Sequence, residues 1–103
     1  MNLSRHPPVQ HPLASAFERA VDSFCASLNP DTTRHYRGTV RNFLLYLAKD
    51  HPDATSLASL RRDPHILGWM ARLRSQQPPL VTASYINRLL ALRCILTELD
   101  GCC

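Results

Sequence analysis

Apolar residues in this chain recur every three or four positions, and clusters rich in Pro and Asn cut that pattern into four pieces. In residues 13–28, Phe17, Ala20, Val21, Phe24, Cys25 and Leu28 fall on one helical face. Asn29-Pro30-Asp31 interrupts them. A second helix is predicted over 32–49, opened by a cap at Asp31 or Thr32 and striped by Tyr36, Val40, Phe43, Leu44 and Leu47. A third starts at Asp63-Pro64 and reaches Arg74 or Ser75, with Ile66, Leu67, Trp69, Met70 and Leu73 apolar. Gln76-Gln77-Pro78-Pro79 ends it. A fourth runs from a cap at Thr82 to Leu99, burying Tyr85, Ile86, Leu89, Leu92, Leu96 and Leu99. Ser84, Asn87, Arg88 and Ala91 then lie on its far side.

The pieces between are expected to be irregular. Residues 1–12 hold three prolines and no periodicity and read as a flexible arm, with Arg5 its one cation. Residues 51–62 form a connector, because Pro52 cannot continue a helix; Leu57 and Leu60 should tuck beneath the bundle. Asp100-Gly101 supplies a helix stop, leaving residues 101–103 as a tail. The fold class is therefore all-α, one domain over residues 13–100. Trp69 is expected as a core anchor.

Composition agrees with helices, with three Gly and few β-branched residues among 103. Charge adds more: 12 Lys and Arg stand against 8 Asp and Glu, a net charge of +4, and all of the cations but Lys49 are Arg. Arg suits a planar grip on phosphate or a guanine edge, although a GC-rich genome enriches it too. Placement has to decide. Arg34, Arg37 and Arg41 sit at spacings of three and four, on one flank of the second helix, with no acid between them. Like charges there repel, so an anion that neutralises them is favoured over a merely solvated face.

Other chemistry is missing. No nucleophile elbow, P-loop, dinucleotide fingerprint or paired-carboxylate signature occurs, so no catalytic residue is assigned and the chain is not expected to be an enzyme by itself. Asp31 and Asp63 are explained as caps. Cys25 and Cys94 lie in apolar helical patterns, while Cys102 and Cys103 are adjacent. With His6, His11, His35, His51 and His65 scattered, no zinc spacing arises, and neither metal nor cofactor is expected. MNLSRHPPVQHP contains no apolar run of the kind an export signal needs, and no segment is apolar for long enough to span a bilayer. A cytoplasmic protein without a membrane partner is expected.

Binding chemistry is better supplied. The second and fourth helices each open on Thr and continue through polar and Arg residues before turning apolar. A helix N-terminus offers N–H groups and partial positive charge to phosphate, and Thr32, Thr33, Thr82 and Ser84 add hydroxyls there. Two such openings side by side would straddle a DNA groove.

The segments NPDTTRHYRGTVRNFLLYL and VTASYINRLLALRCIL resemble the N-terminal core-binding domain of tyrosine recombinases, the phage integrase family. The resemblance rests on Thr32, Tyr36 and Phe43 in the second helix and on Thr82 with the Leu92-Arg93 step in the fourth, and it spans residues 13–100. It implies a four-helix SAM-like orthogonal bundle whose second and fourth helices clamp double-stranded DNA. Carried over by position, the DNA-binding candidates are Thr32, Thr33, Arg34, His35, Arg37, Arg41, Thr82, Ser84, Asn87 and Arg88. Arg93 would instead pack along the bundle with its head in solvent.

The family continues into a catalytic domain bearing Arg, His and a nucleophilic Tyr, and this chain ends at Cys103. Tyr36 and Tyr85 belong to buried stripes and Tyr46 has no arginine–histidine setting in the sequence, so none is assigned the nucleophile's role. The chain reads as either an excised domain of a longer recombinase or a free-standing remnant, the excised domain being favoured, and it would hold DNA beside its own catalytic domain and other recombinase protomers. The alternative is a self-associating helical interaction domain; against it, the polar flanks promise no exposed apolar patch.

Overall fold

The computed structural model describes residues 11–99 and is all-helical over them: α1 (Ala14–Phe24), α2 (Pro30–Asp50), α3 (Leu67–Ser75) and α4 (Thr82–Leu99). A 3-10 turn, Leu57–Ser59, and a five-residue π-type turn, Arg62–Ile66, interrupt the connector before α3. The expectations for residues 1–10, for the stop at Asp100-Gly101 and for Cys102 and Cys103 lie outside the described residues. The end of the predicted arm does not: the Leu13 N–H donates to His11 Nδ1 at 3.0 Å, and Leu13 is buried.

Two proline rules reset the boundaries. The residue before a proline is kept out of the α region. Asn29 is accordingly extended (φ −73°, ψ 160°), and α1 stops four residues short of the expected Leu28. Freed from helix, Asn29 becomes the cap of α2: its Oδ1 accepts from the Thr32 N–H at 2.8 Å, and Pro30 takes the first helical position. The cap is therefore neither Asp31 nor Thr32. Asp63 is extended for the same reason (φ −116°, ψ 124°), which is the backbone of a cap with Pro64 after it, but its side chain makes no capping hydrogen bond among the described residues, and the regular α-helix of α3 begins at Leu67.

The core forms where the four helices meet. Phe17, Phe43, Leu47, Trp69, Leu73, Leu92, Ile95 and Val21 are almost without solvent contact. Phe43 meets Trp69 edge-to-face at 5.4 Å and Phe17 at 6.1 Å, tying α1, α2 and α3 together. Trp69 is 0% exposed, and its indole N–H donates to Asn42 Oδ1 at 2.8 Å, so it is the core anchor expected of it. Burying a side chain of this kind contributes roughly 1.5–3 kcal/mol.

α4 departs most from its expected face. Ala91 and Ile95 are buried, whereas Ile86 is 46% exposed and Leu90 is 51% exposed. Leu89, Leu90, Ala91 and Leu92 are consecutive apolar residues, so periodicity defines no single stripe there. The exposed pair also corrects the expectation that the flanks carry no apolar patch. Leu57 is exposed rather than tucked in, while Leu60 packs against the core.

Candidate nucleic-acid interface

The openings of α2 and α4 adjoin. The His35 Nε2–H donates to the Asn87 carbonyl, a long hydrogen bond of 3.4 Å, linking the second turns of the two helices. Tyr36 fastens the same region from behind: its ring stacks on Phe24 of α1 at 5.4 Å and stands edge-on to His35 at 5.9 Å. Burial first, then a hydrogen bond to Cys94 and the nearby thiols of Cys94 and Cys25, hold its phenol above the ordinary 10.0.

The ten candidates divide by what they touch. At the α2 opening, Thr32 has spent its N–H on Asn29 Oδ1, and Thr33 directs both its N–H (3.1 Å) and its Oγ1 (3.3 Å) to the Asn29 carbonyl. Asp31 adds a carboxylate to that turn. This opening is already satisfied and acidic, and is a poor phosphate cradle. α4 differs. The Tyr85 N–H bonds to the Val81 carbonyl, which makes Val81, not Thr82, the cap position. A valine has no side-chain acceptor for the open N–H groups of the first turn, where Thr82 and Ser84 stand.

The arginines are not equivalent either. Arg34 pairs with Asp31 at 2.9 Å, and Arg37 pairs with Asp22 of α1 at 2.5 Å, all four side chains being substantially exposed. The acids absent from between the arginines thus arrive from one turn earlier and from the neighbouring helix. Arg41 has neither: its Nη1 is buried and has no hydrogen-bond partner among the described residues. Arg88 is half-buried on α4, and Asn87 is exposed. Gly38 lies among these arginines with nothing within 4 Å of where a Cβ would stand.

Sequence reasoning missed a second polar cluster. The Tyr46 hydroxyl lies 2.8 Å from His51 Nε2 and 3.5 Å from the Pro64 carbonyl. Arg72, paired to Asp50, stands over the Tyr46 ring at 5.5 Å. Tyr46 therefore does have an arginine and a histidine beside it, correcting the expectation. Burial first, then the Asp50 carboxylate, raise its pKa above the ordinary 10.0 against the opposing pull of Arg72. Its side chain is buried and its ionisation disfavoured, so this cluster fastens α2 to the connector. His51 is only five residues from Tyr46, but Pro64 and Arg72 lie much farther along the chain and leave no local signal. Among the described residues no group of three His, Cys, Asp or Glu side chains is placed to hold a metal ion, and no helix is long and apolar enough to cross a membrane.

Compared with known proteins, the chain matches no family model, no curated protein and no solved structure.

Proposed function

We propose that this chain is a DNA-holding domain of the kind that forms the N-terminal, core-binding part of tyrosine recombinases, with its four helices as a SAM-like orthogonal bundle. Cutting and rejoining then belong to a catalytic domain outside this chain, and the cytoplasm that holds the DNA is where it works. The observation that carries the reading is the adjoining of the α2 and α4 openings at His35 and Asn87, with Arg34, Arg37, Arg41 and Arg88 on those two helices. Arg41 adds to it: half-buried on the same flank, it is paired with no carboxylate among the described residues that a phosphate would have to displace.

Gly38→Glu tests this cleanly. The site is open, so the fold tolerates the side chain, and Glu is the better helix former. A carboxylate among the arginines should weaken duplex DNA binding about tenfold at low salt while the melting temperature holds or rises. Arg41→Met and Arg88→Met should each weaken binding and flatten its salt dependence. Parent-like DNA binding by Gly38→Glu and Arg41→Met together would refute the proposal.

A second reading draws on exposed Ile86 and Leu90, four residues apart on α4. Such a pair suits self-association. Sedimentation under reducing conditions separates the two: a concentration-dependent dimer, abolished by Ile86→Gln with Leu90→Gln and indifferent to DNA, would favour it.

A further inference from the structure

A groove runs between the connector, α3 and the C-terminal half of α4. One compartment of about 320 Å³ lies among Leu57, Leu60, Ile66, Leu96 and Leu99. A second of about 530 Å³ lies among Trp69, Met70, Leu89 and Leu92 and shares Ile66 and Leu96 with the first. The two adjoin at those residues, and both have mostly apolar linings. Their polar lining residues are Arg61 and Arg62 in the first and Arg93 with Thr97 in the second, with no carboxylate of the described residues among them.

We propose that this groove docks an amphipathic helix of a partner protein, with apolar anchors on one face and acidic residues along its flanks. Charge complementarity selects this occupant. An apolar floor accepts side chains at i, i+3, i+4 and i+7 of a helix, and the two compartments joined at Ile66 and Leu96 take successive anchors. The arginines of both compartments then meet the flanking carboxylates. A second copy of this chain is the wrong partner, since a two-fold interface centred here would bring the same arginines face to face. Duplex DNA is wrong as well, because its phosphates would satisfy the arginines but leave the floor uncovered. Arg61 is partly committed already: its Nη1 donates to the carbonyls of Ala58 at 2.7 Å and Leu60 at 3.1 Å, which positions the turn forming one wall. Arg62 and Arg93 are exposed and supply the readable charge. This surface is independent of the DNA-holding reading, which rests on the opening turns of α2 and α4.

The test is a titration of isotope-labelled protein with a designed helical peptide of about 16 residues, long enough to hold a helix on docking. Its Leu residues follow the i, i+3, i+4, i+7 spacing and its flanks are Glu; a control peptide keeps the Leu and replaces Glu with Lys. Saturable amide shifts are expected at Ile66, Met70, Leu96 and their neighbours with the Glu peptide, and much weaker binding of the Lys peptide. Arg62→Gln with Arg93→Gln should weaken the Glu peptide about fivefold and flatten its salt dependence, as two exposed ion pairs are lost. Leu90→Gln, outside the groove lining, should leave it unchanged. Absence of saturable shifts up to millimolar peptide would overturn the proposal. So would equal affinity for both peptides, an unaltered affinity in the double variant, or shifts confined to the α2 and α4 openings. Groove-amide shifts produced by duplex DNA in place of the peptide would also overturn it.

Discussion

The two helical glycines should respond oppositely to the same substitution. Gly68 lies in α3, and a Cβ added there would run into the Tyr46 hydroxyl, with Tyr46 Cζ at 3.3 Å and His51 Nε2 at 4.0 Å. Tyr46 cannot simply swing away. It is buried, its ring packs beside Phe43 at 6.4 Å and His51 at 5.3 Å, and its hydroxyl bonds to His51. Forcing an extra carbon into such packing costs about 1–3 kcal/mol, and losing the hydrogen bond about 1 kcal/mol more. Ala gains about 1 kcal/mol over Gly in a helix interior. Gly68→Ala should therefore destabilise by about 2 kcal/mol, a fall in Tm of roughly 10 °C for a domain of this size. Gly38 in α2 meets nothing, so Gly38→Ala keeps only the helix gain and should raise Tm by about 5 °C. Thermal unfolding followed by far-UV circular dichroism measures both. Equal shifts of the same sign would refute the close approach of α3 to Tyr46.

Asn42→Leu leaves the Trp69 indole N–H buried without its acceptor and should cost about 1–3 kcal/mol in chemical denaturation; Asn42→Asp, which keeps an acceptor, should cost less. Burial holds the His11 pKa below its ordinary 6.5, so the unfolded chain binds the proton more readily than the folded one. That stability is present above about pH 6.5 and lost as pH falls below it; melting curves of the parent and His11→Asn should therefore diverge less at about pH 5 than at neutral pH. Asp22→Asn releases Arg37 from its partner. It should change stability by less than about 1 kcal/mol, while on the DNA-holding reading duplex affinity rises a few-fold in a fluorescence anisotropy titration.

Much of the helix layout was legible in local signals. Proline and asparagine clusters marked the breaks, and the face of α2 carrying Val40, Phe43, Leu44 and Leu47 is buried as its spacing predicts. The start of α2 was also readable in principle, because Pro30 forces Asn29 out of the helix and so into the capping position. The buried face of α4 was not, since four consecutive apolar residues, Leu89 to Leu92, leave the choice of face to the partner helices. The candidate interface divides in the same way. Its residue types were visible in the chain, but the partner of Arg37 comes from α1, fifteen residues earlier, and the link from His35 to Asn87 crosses fifty-two. Pairing of that kind follows from how helices cross, which spacing within one helix does not encode.

Those pairings redraw the interface without removing any arginine from it. Ion pairs as exposed as Arg34 with Asp31 and Arg37 with Asp22 are worth about 0–1 kcal/mol, so an approaching phosphate exchanges with the carboxylate at little cost. The acids then stand near the phosphate and return part of the gain. Arg41 has the reverse arithmetic. Its Nη1 is buried without an acceptor among the described residues, so a phosphate reaches the guanidinium through its other nitrogens, with no carboxylate there to displace. The α2 opening at Thr32 and Thr33 is closed by Asn29, whereas the first turn of α4 has no side-chain cap at Val81. On the DNA-holding reading the weight therefore moves along α2, away from its first turn and toward Arg37, Gly38 and Arg41, where it meets α4 through Asn87 and Arg88.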